Sequence, residues 1–289
     1  MVLESLIDPW TAKKHPIRLF FIGLLFASIS SLFALWIFKS QASLVMVFLT
    51  VVISIPLMYA TLEEEEGEDI KDDTEKSMLK EHSKAISFLT MMLLGFIVGY
   101  SLWFLFLPAD TVQTMFDIQL STIESINSNA IFTTSATGWA TSISDIFFSI
   151  LFNNIKVLIF CLFFAFFFGA GSIFILAWNA SVIAAAIGTY VRNGLANYAS
   201  SLGFTKFAAY FTLFTAGILR YMVHGIFEIA AYFLGALAGG IISVALINQK
   251  FGTEGFRKVM FDAFILVIIA LALLIFGTFI EVFITPVLF

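Results

Sequence analysis

Charge is scarce in this 289-residue chain, where Asp, Glu, Lys and Arg together make up 12% of the residues, against roughly 25% in an average soluble domain. A water-soluble fold of this size keeps a large surface, and so little charge cannot cover it. Cysteine is almost missing. Cys161 stands alone in an apolar run, so no intrachain disulfide can form, and it is read as a small buried hydrophobe. Basic residues are outnumbered by acidic ones, and the formal net charge of −5 excludes nucleic acid as a partner, because phosphate binding needs cations that displace counterions. Histidine is also short. His15 and His82 fall in polar segments and only His224 lies in an apolar run, so the three or four ligands of a stable metal site are lacking. No G-x-S-x-G elbow and no phosphate-binding glycine motif occurs. No catalytic set, metal or cofactor is therefore expected.

What is abundant is oil. The chain is 60% hydrophobic, contains 36 Phe, and has a mean hydropathy of +1.00. Apolar runs of about 20 residues cross the hydrocarbon of a bilayer, and several are present. Ile17–Phe38 and Ala42–Ala60 form a first pair around the short turn Lys39-Ser40-Gln41, with Pro56 placed to kink the second. Ala85–Leu107 is the third, stopped by Pro108. Ile155–Val191 is too long for one crossing and is interrupted at Gly169-Ala170-Gly171-Ser172. Two short crossings meeting there are the preferred parse, and one crossing followed by an interfacial helix from Asn179 is the alternative. Phe207–Ile247 is again over-long and carries Arg220, His224 and Glu228. It is read as a short re-entrant or half-length helix through about Tyr221 followed by a full crossing. Met260–Phe283 is the last. The expected fold is all-α and polytopic, with about seven transmembrane helices and short or re-entrant segments in the C-terminal half.

Two polar stretches separate these runs. Thr61–Lys84 opens with Glu63-Glu64-Glu65-Glu66 and suits a solvated loop or a short surface helix able to dock a basic partner. In Pro108–Asp145, Val112, Phe116, Ile123 and Ile126 recur at helical spacing, the pattern of an amphipathic helix lying on the membrane surface. Ser142–Phe152 reads as a second such helix. Cationic residues favour the cytoplasmic side. Lys13, Lys14 and Arg18 place the N-terminus there, the absence of any Lys or Arg between Lys84 and Lys156 puts Pro108–Asp145 outside, and Lys250, Arg257 and Lys258 return the last loop to the cytoplasm. The C-terminus is then extracytoplasmic. The corresponding divisions are 1–107, a three-helix portion with its acidic loop 61–84; 108–152, an outer amphipathic loop; and 153–289, a helical membrane domain.

Polar residues within the runs are the natural site candidates, because an ionisable group at the centre of a membrane helix costs at least ~2.5–3.5 kcal/mol. Arg220, His224 and Glu228 recur every four residues and form one stripe on a helix. Either Arg220 or a protonated His224 pairing with Glu228 would make a structural clamp; a proton- or ion-sensing site is the functional alternative. Asn179 needs a partner for its amide, expected on a neighbouring helix. The pair Asn153-Asn154 stands at the head of an apolar run, where capping accounts for it. Glu281 either snorkels to the outer interface, which its position favours, or is a second buried charge. Gly169, Gly171, Gly188, Gly235, Gly239 and Gly240 suit close helix approach.

The order Asn153-Asn154, Gly169-x-Gly171, Leu176-x-x-Asn179, Gly188, then His224-Gly225-x-x-Glu228, Gly235 and Gly239-Gly240 resembles the stage II sporulation protein M (SpoIIM) family over about Ile143 to Leu246. Ala180 follows Asn179 where family members often carry Gly. The N-terminal three-helix portion looks like the extension of archaeal-type members. The resemblance implies a membrane component that anchors or scaffolds partner enzymes and has no established catalysis of its own. The first functional expectation is thus a non-enzymatic multipass scaffold or assembly factor in the cell membrane. It would contact membrane lipids and engage protein partners on either face, or copies of itself, through its polar loops. The alternative is a transporter or channel for a small solute, ion or lipid lined by Arg220, His224, Glu228 and the Asn residues.

Overall fold

The computed structural model describes residues 16–69, 83–124, 143–168, 172–198, 203–248 and 253–289. Lys13 and Lys14, the acidic stretch from 70 to 82, the Ser/Thr/Asn-rich stretch 125–142 with Ile126, and the Gly169–Gly171 step lie outside the described residues. Among the described residues the chain is helical, with no strand. Six stretches are long and apolar enough to span a membrane, the first being Ile17–Leu57. That stretch is itself two helices. Helix α1, Pro16–Phe33, runs on through a π-helical turn, Ala34–Phe38, and the chain reverses over Lys39–Gln41, where Lys39 takes the positive φ of 32°. Helix α2, Ala42–Asp69, follows and packs back on α1. It continues through Pro56 and carries Glu63–Glu66 on its own backbone, so the first part of the acidic block is helix.

Helix α3 is Ser83–Phe106, and Pro108 separates it from α4, Ala109–Met115. After a break at Phe116, residues 117–124 form α5. Then come α6, Ile143–Phe168; α7, Ser172–Ala196; α8, Phe204–Asn248; and α9, Glu254–Phe279. The last leads through a π-helical turn, Ile280–Ile284, to α10, Thr285–Leu288.

Three expectations change here. Helix α8 is one continuous helix of 45 residues, with no re-entrant break near Tyr221. The stripe of ionisable groups lies along its surface and leaves the backbone ladder intact, and no proline interrupts it. The second amphipathic helix, Ser142–Phe152, is not separate: α6 starts at Ile143 and continues into the apolar run without a turn. The segment after Pro108 is not laid on lipid either. Val112, Met115 and Phe116 are buried in the protein, and Phe116 stacks edge-on against Phe104 with ring centres 5.0 Å apart. By contrast, the division of 155–191 into two helices agrees with the structure, in which α6 ends at Phe168 and α7 begins at Ser172, but each has a full-length span of 24 residues where short crossings were expected.

Close contacts fix the relative senses of the helices. Gly23 of α1 sits against the Met92 carbonyl of α3, Gly95 against Phe20 and Leu24, and Gly99 against Leu24 and Ala27, so α1 and α3 run parallel. Leu158 meets Gly235 while Leu162 and Ala165 meet Gly239, which makes α6 and α8 parallel. Gly277 lies over Phe227 and Glu228, and Thr285 over His224, which makes α9 antiparallel to α8. This is the alternation expected of seven successive long helices.

Polar side chains in the first half bind helix to helix. Ser43 Oγ donates to Gln119 Oε1 at 2.7 Å, and Gln119 Nε2 donates to the Ser43 carbonyl and to Ser181 Oγ, each at 3.2 Å. One buried amide thus ties α2, α5 and α7 together. Tyr100 donates to Thr50 Oγ1 at 2.7 Å, joining α3 to α2. Gln119→Leu removes three bonds and leaves Ser43 without its acceptor. We expect a loss of about 2 kcal/mol, in the middle of the 1–3 kcal/mol cost of orphaning a buried polar group, measured as a lower denaturation midpoint in detergent; an unchanged midpoint would show that the knot contributes nothing.

Candidate functional site

A buried polar cluster lies where α6, α8 and the end of α9 meet. Its centre is Asn154, buried on α6 with Leu158, Cys161 and Ala165 on the same face. From there Nδ2 donates to Glu228 Oε1 of α8 at 2.6 Å, and Oδ1 accepts from the Tyr232 hydroxyl, one turn further along α8, at 3.1 Å. One amide therefore uses both of its ends on the neighbouring helix. Such an arrangement needs α6 and α8 close and in register. Gly235 and Gly239 allow this: a Cβ on Gly239 would collide with the Leu162 carbonyl, and one on Gly235 with the Leu158 side chain.

Helix α9 closes the other side. Gly277 stands over Glu228, where a Cβ would come within 3.4 Å of its Cγ and 3.3 Å of the Phe227 Cβ. Phe227 and Phe276 stack edge-on beside it at 4.9 Å. Four residues on, in the π-helical turn, Glu281 is within charge–charge range of Glu228 and Tyr232. Of the two expectations for it, a second charge within the protein fits this half-buried position better than a side chain snorkelling to an interface. Turns with an extra residue recur at functional sites, and here the turn is held by Thr285, whose Oγ1 donates to the Ile280 carbonyl at 3.2 Å and lies 3.4 Å from His224 Nδ1.

The sequence candidates thus separate. Asn154, Glu228 and His224 belong to one contact region, with His224 turned to Thr285. Arg220 does not reach Glu228, because eight residues of helix separate them by about 12 Å along the axis. Its guanidinium sits 5.5 Å from the centre of the Tyr190 ring and donates to the Phe289 carbonyl at 3.5 Å. Asn179 takes no part; its Nδ2 donates to the Ile175 carbonyl of its own helix at 2.8 Å. Asn153 is exposed on α6 and caps nothing, since both Asn residues lie well inside that helix. Among the described residues no three His, Cys, Asp or Glu side chains are grouped to hold a metal ion. Chemically, the cluster is a hydrogen-bond chain, phenol to amide to carboxyl, flanked by a second carboxyl.

The family model for stage II sporulation protein M, SpoIIM, matches residues 85–286. The chain belongs to the SpoIIM family. The SpoIIM match is wider than the stretch Ile143 to Leu246 suggested by motif order. It starts within α3 and ends within α10, so it contains every residue of the cluster and, of the Gln119 knot, Gln119 and Ser181 without Ser43. No curated protein and no solved structure matches the chain.

Sequence reasoning missed several partners within the SpoIIM region. Tyr232 and Thr285 carry no motif, and their roles appear only once α8 and α9 are packed. Arg192, at the end of α7, donates to the Phe104 and Leu107 carbonyls at the end of α3 and lies over the Phe104 ring, 5.3 Å from its centre. It caps a helix whose last carbonyls Pro108 cannot serve. One signal was legible: Gly95-Phe-Ile-Val-Gly99 and Gly235-Ala-Leu-Ala-Gly239 are small-xxx-small patterns of the kind that bring membrane helices together.

Proposed function

We propose that this chain is a non-enzymatic multipass membrane scaffold or assembly factor, engaging protein partners through its polar segments on the two membrane faces. The observation that carries the reading is how the interior polar groups are used. Asn154, Glu228 and Tyr232 satisfy one another across α6 and α8, Gln119 joins three helices, and Arg192 caps a fourth. Groups spent on helix contacts stabilise one arrangement of the bundle, as a platform requires. Positive-inside counting supports a cytoplasmic N-terminus and an extracytoplasmic C-terminus.

The test is cross-linked co-purification of the full chain and of two deletions that leave the described helices whole, residues 70–82 and 125–142. We expect each deletion to remove a distinct set of partners without changing the denaturation midpoint. Identical partner sets for all three proteins would refute the reading.

A second reading, transport of a small solute or ion, draws on the apposition of Glu228 and Glu281 inside the bundle. It is separated from the first by flux into liposomes. Under the scaffold reading wild type and Glu228→Gln show the same background leak, whereas flux that Glu228→Gln abolishes would establish the second.

A further inference from the structure

Helix α9 begins with a feature that the bundle interior does not use. Thr253 caps it, its Oγ1 accepting from the Phe256 N–H at 3.3 Å. Along its first three turns lies an open groove of 640 Å³, whose lining includes Arg257, Lys258, Phe261 and Phe264. Residues 257, 261, 264 and 268 fall on one helix face, and three of them are large apolar side chains left open: Phe261 is 62% exposed, Phe264 60% and Ile268 49%. The stripe is therefore cationic at its head and greasy for the next ~16 Å of rise, about the depth of one leaflet of a ~30 Å hydrocarbon layer.

The charges settle which amphiphile fits. Among the described residues the Arg257 guanidinium has no carboxylate partner, and a guanidinium matches a phosphate bidentately. Lys258 is partly balanced by Asp262, half-buried one turn on and within its field. Glu254, at the rim, lies in the first turn, where its charge complements the helix dipole. The groove opens where the apolar stretch Glu254–Leu288 starts, and a helix that enters a bilayer there would hold it at the headgroups.

We propose that this groove binds an anionic phospholipid, its phosphate held by Arg257 and Lys258 and an acyl chain laid along Phe261, Phe264 and Ile268. The proposal is independent of the scaffold reading, and its test does not use partner capture.

The full chain is placed in nanodiscs of phosphatidylcholine mixed with phosphatidylglycerol, and the lipid retained after detergent extraction is counted by mass spectrometry. Wild type should retain phosphatidylglycerol preferentially. R257Q/K258Q should lower that preference about twenty- to thirtyfold, since each basic residue near a membrane surface contributes ~1 kcal/mol. Lys206→Gln, far along the chain on α8, should leave it unchanged. Equal retention by wild type and R257Q/K258Q overturns the proposal, and so does displacement of the lipid by soluble glycerol phosphate at equal concentration, which would make the site a free-phosphate site. Should the double variant fail to fold, wild type alone decides: a preference that weakens with rising salt supports the headgroup contact, and one indifferent to salt overturns it.

Discussion

Replacing Asn154 with Leu should destabilise the bundle by about 2–3 kcal/mol. A neutral hydrogen bond between membrane helices averages only ~0.6 kcal/mol, so the prediction rests on what the substitution leaves behind. Asn154 serves two groups at once, the Glu228 carboxyl and the Tyr232 hydroxyl, and an enclosed polar group stripped of its partner costs about 1–3 kcal/mol, more when it is charged. The measurement is the denaturation midpoint in detergent, with Asn153→Leu as the comparison. Asn153 is exposed, so its replacement should stay within about 0.5 kcal/mol. A double-mutant cycle with Glu228→Leu should give a coupling of about 1 kcal/mol or more. Equal effects of the Asn153 and Asn154 substitutions would sink the claim that this amide joins α6 to α8.

Gly95→Leu should do more damage, about 3 kcal/mol or beyond. Overpacking a core ordinarily costs 1–3 kcal/mol because side chains can shift. At Gly95 they cannot, because the three atoms nearest a new Cβ are all backbone: the Phe20 carbonyl oxygen, the Leu24 nitrogen and the Gly23 Cα. The only relief is to move α1 away from α3, which opens the face holding Met92, Phe96 and Leu19, all fully buried. Gly240→Ala is the control. Nothing lies within 4 Å of a Cβ there, and Ala is the better helix former by about 1 kcal/mol, so that variant should be neutral or slightly more stable. A Gly95→Leu protein that melts with wild type would mean that α1 and α3 are not in backbone contact.

Reading the sequence succeeded where a rule acts locally. Hydropathy and length mark the spans because the bilayer tests each helix separately. Pro108 ends α3 because it cannot extend the ladder, and the glycine step at 169–171 divides a run too long for one crossing. It failed where the deciding atom lies far along the chain. The spacing of Arg220, His224 and Glu228 was visible, yet the partner of Glu228 is 74 residues away, and nothing in the local pattern names it. The same distance hid the role of Asn154. At the head of an apolar run an Asn suggests a cap, but the helix had already begun at Ile143, because Ile143, Ile146, Phe147 and Ile150 continue its apolar character past the expected boundary. Fourfold spacing also invited a clamp within α8, whereas Arg220, His224 and Glu228 each turn to a different neighbour: Tyr190, Thr285 and Asn154.

The length of α8 has a consequence of its own. Forty-five unbroken residues make a rod of about 67 Å, more than double the ~30 Å thickness of oil it crosses. Even a steep lean cannot hide all of it. Phe204, Phe207 and Phe211, each at least 68% exposed near its first turns, are the portion that a thin bilayer would strand in water and a thick one would cover. How comfortably this protein sits is thus a property of its host membrane as much as of its own packing.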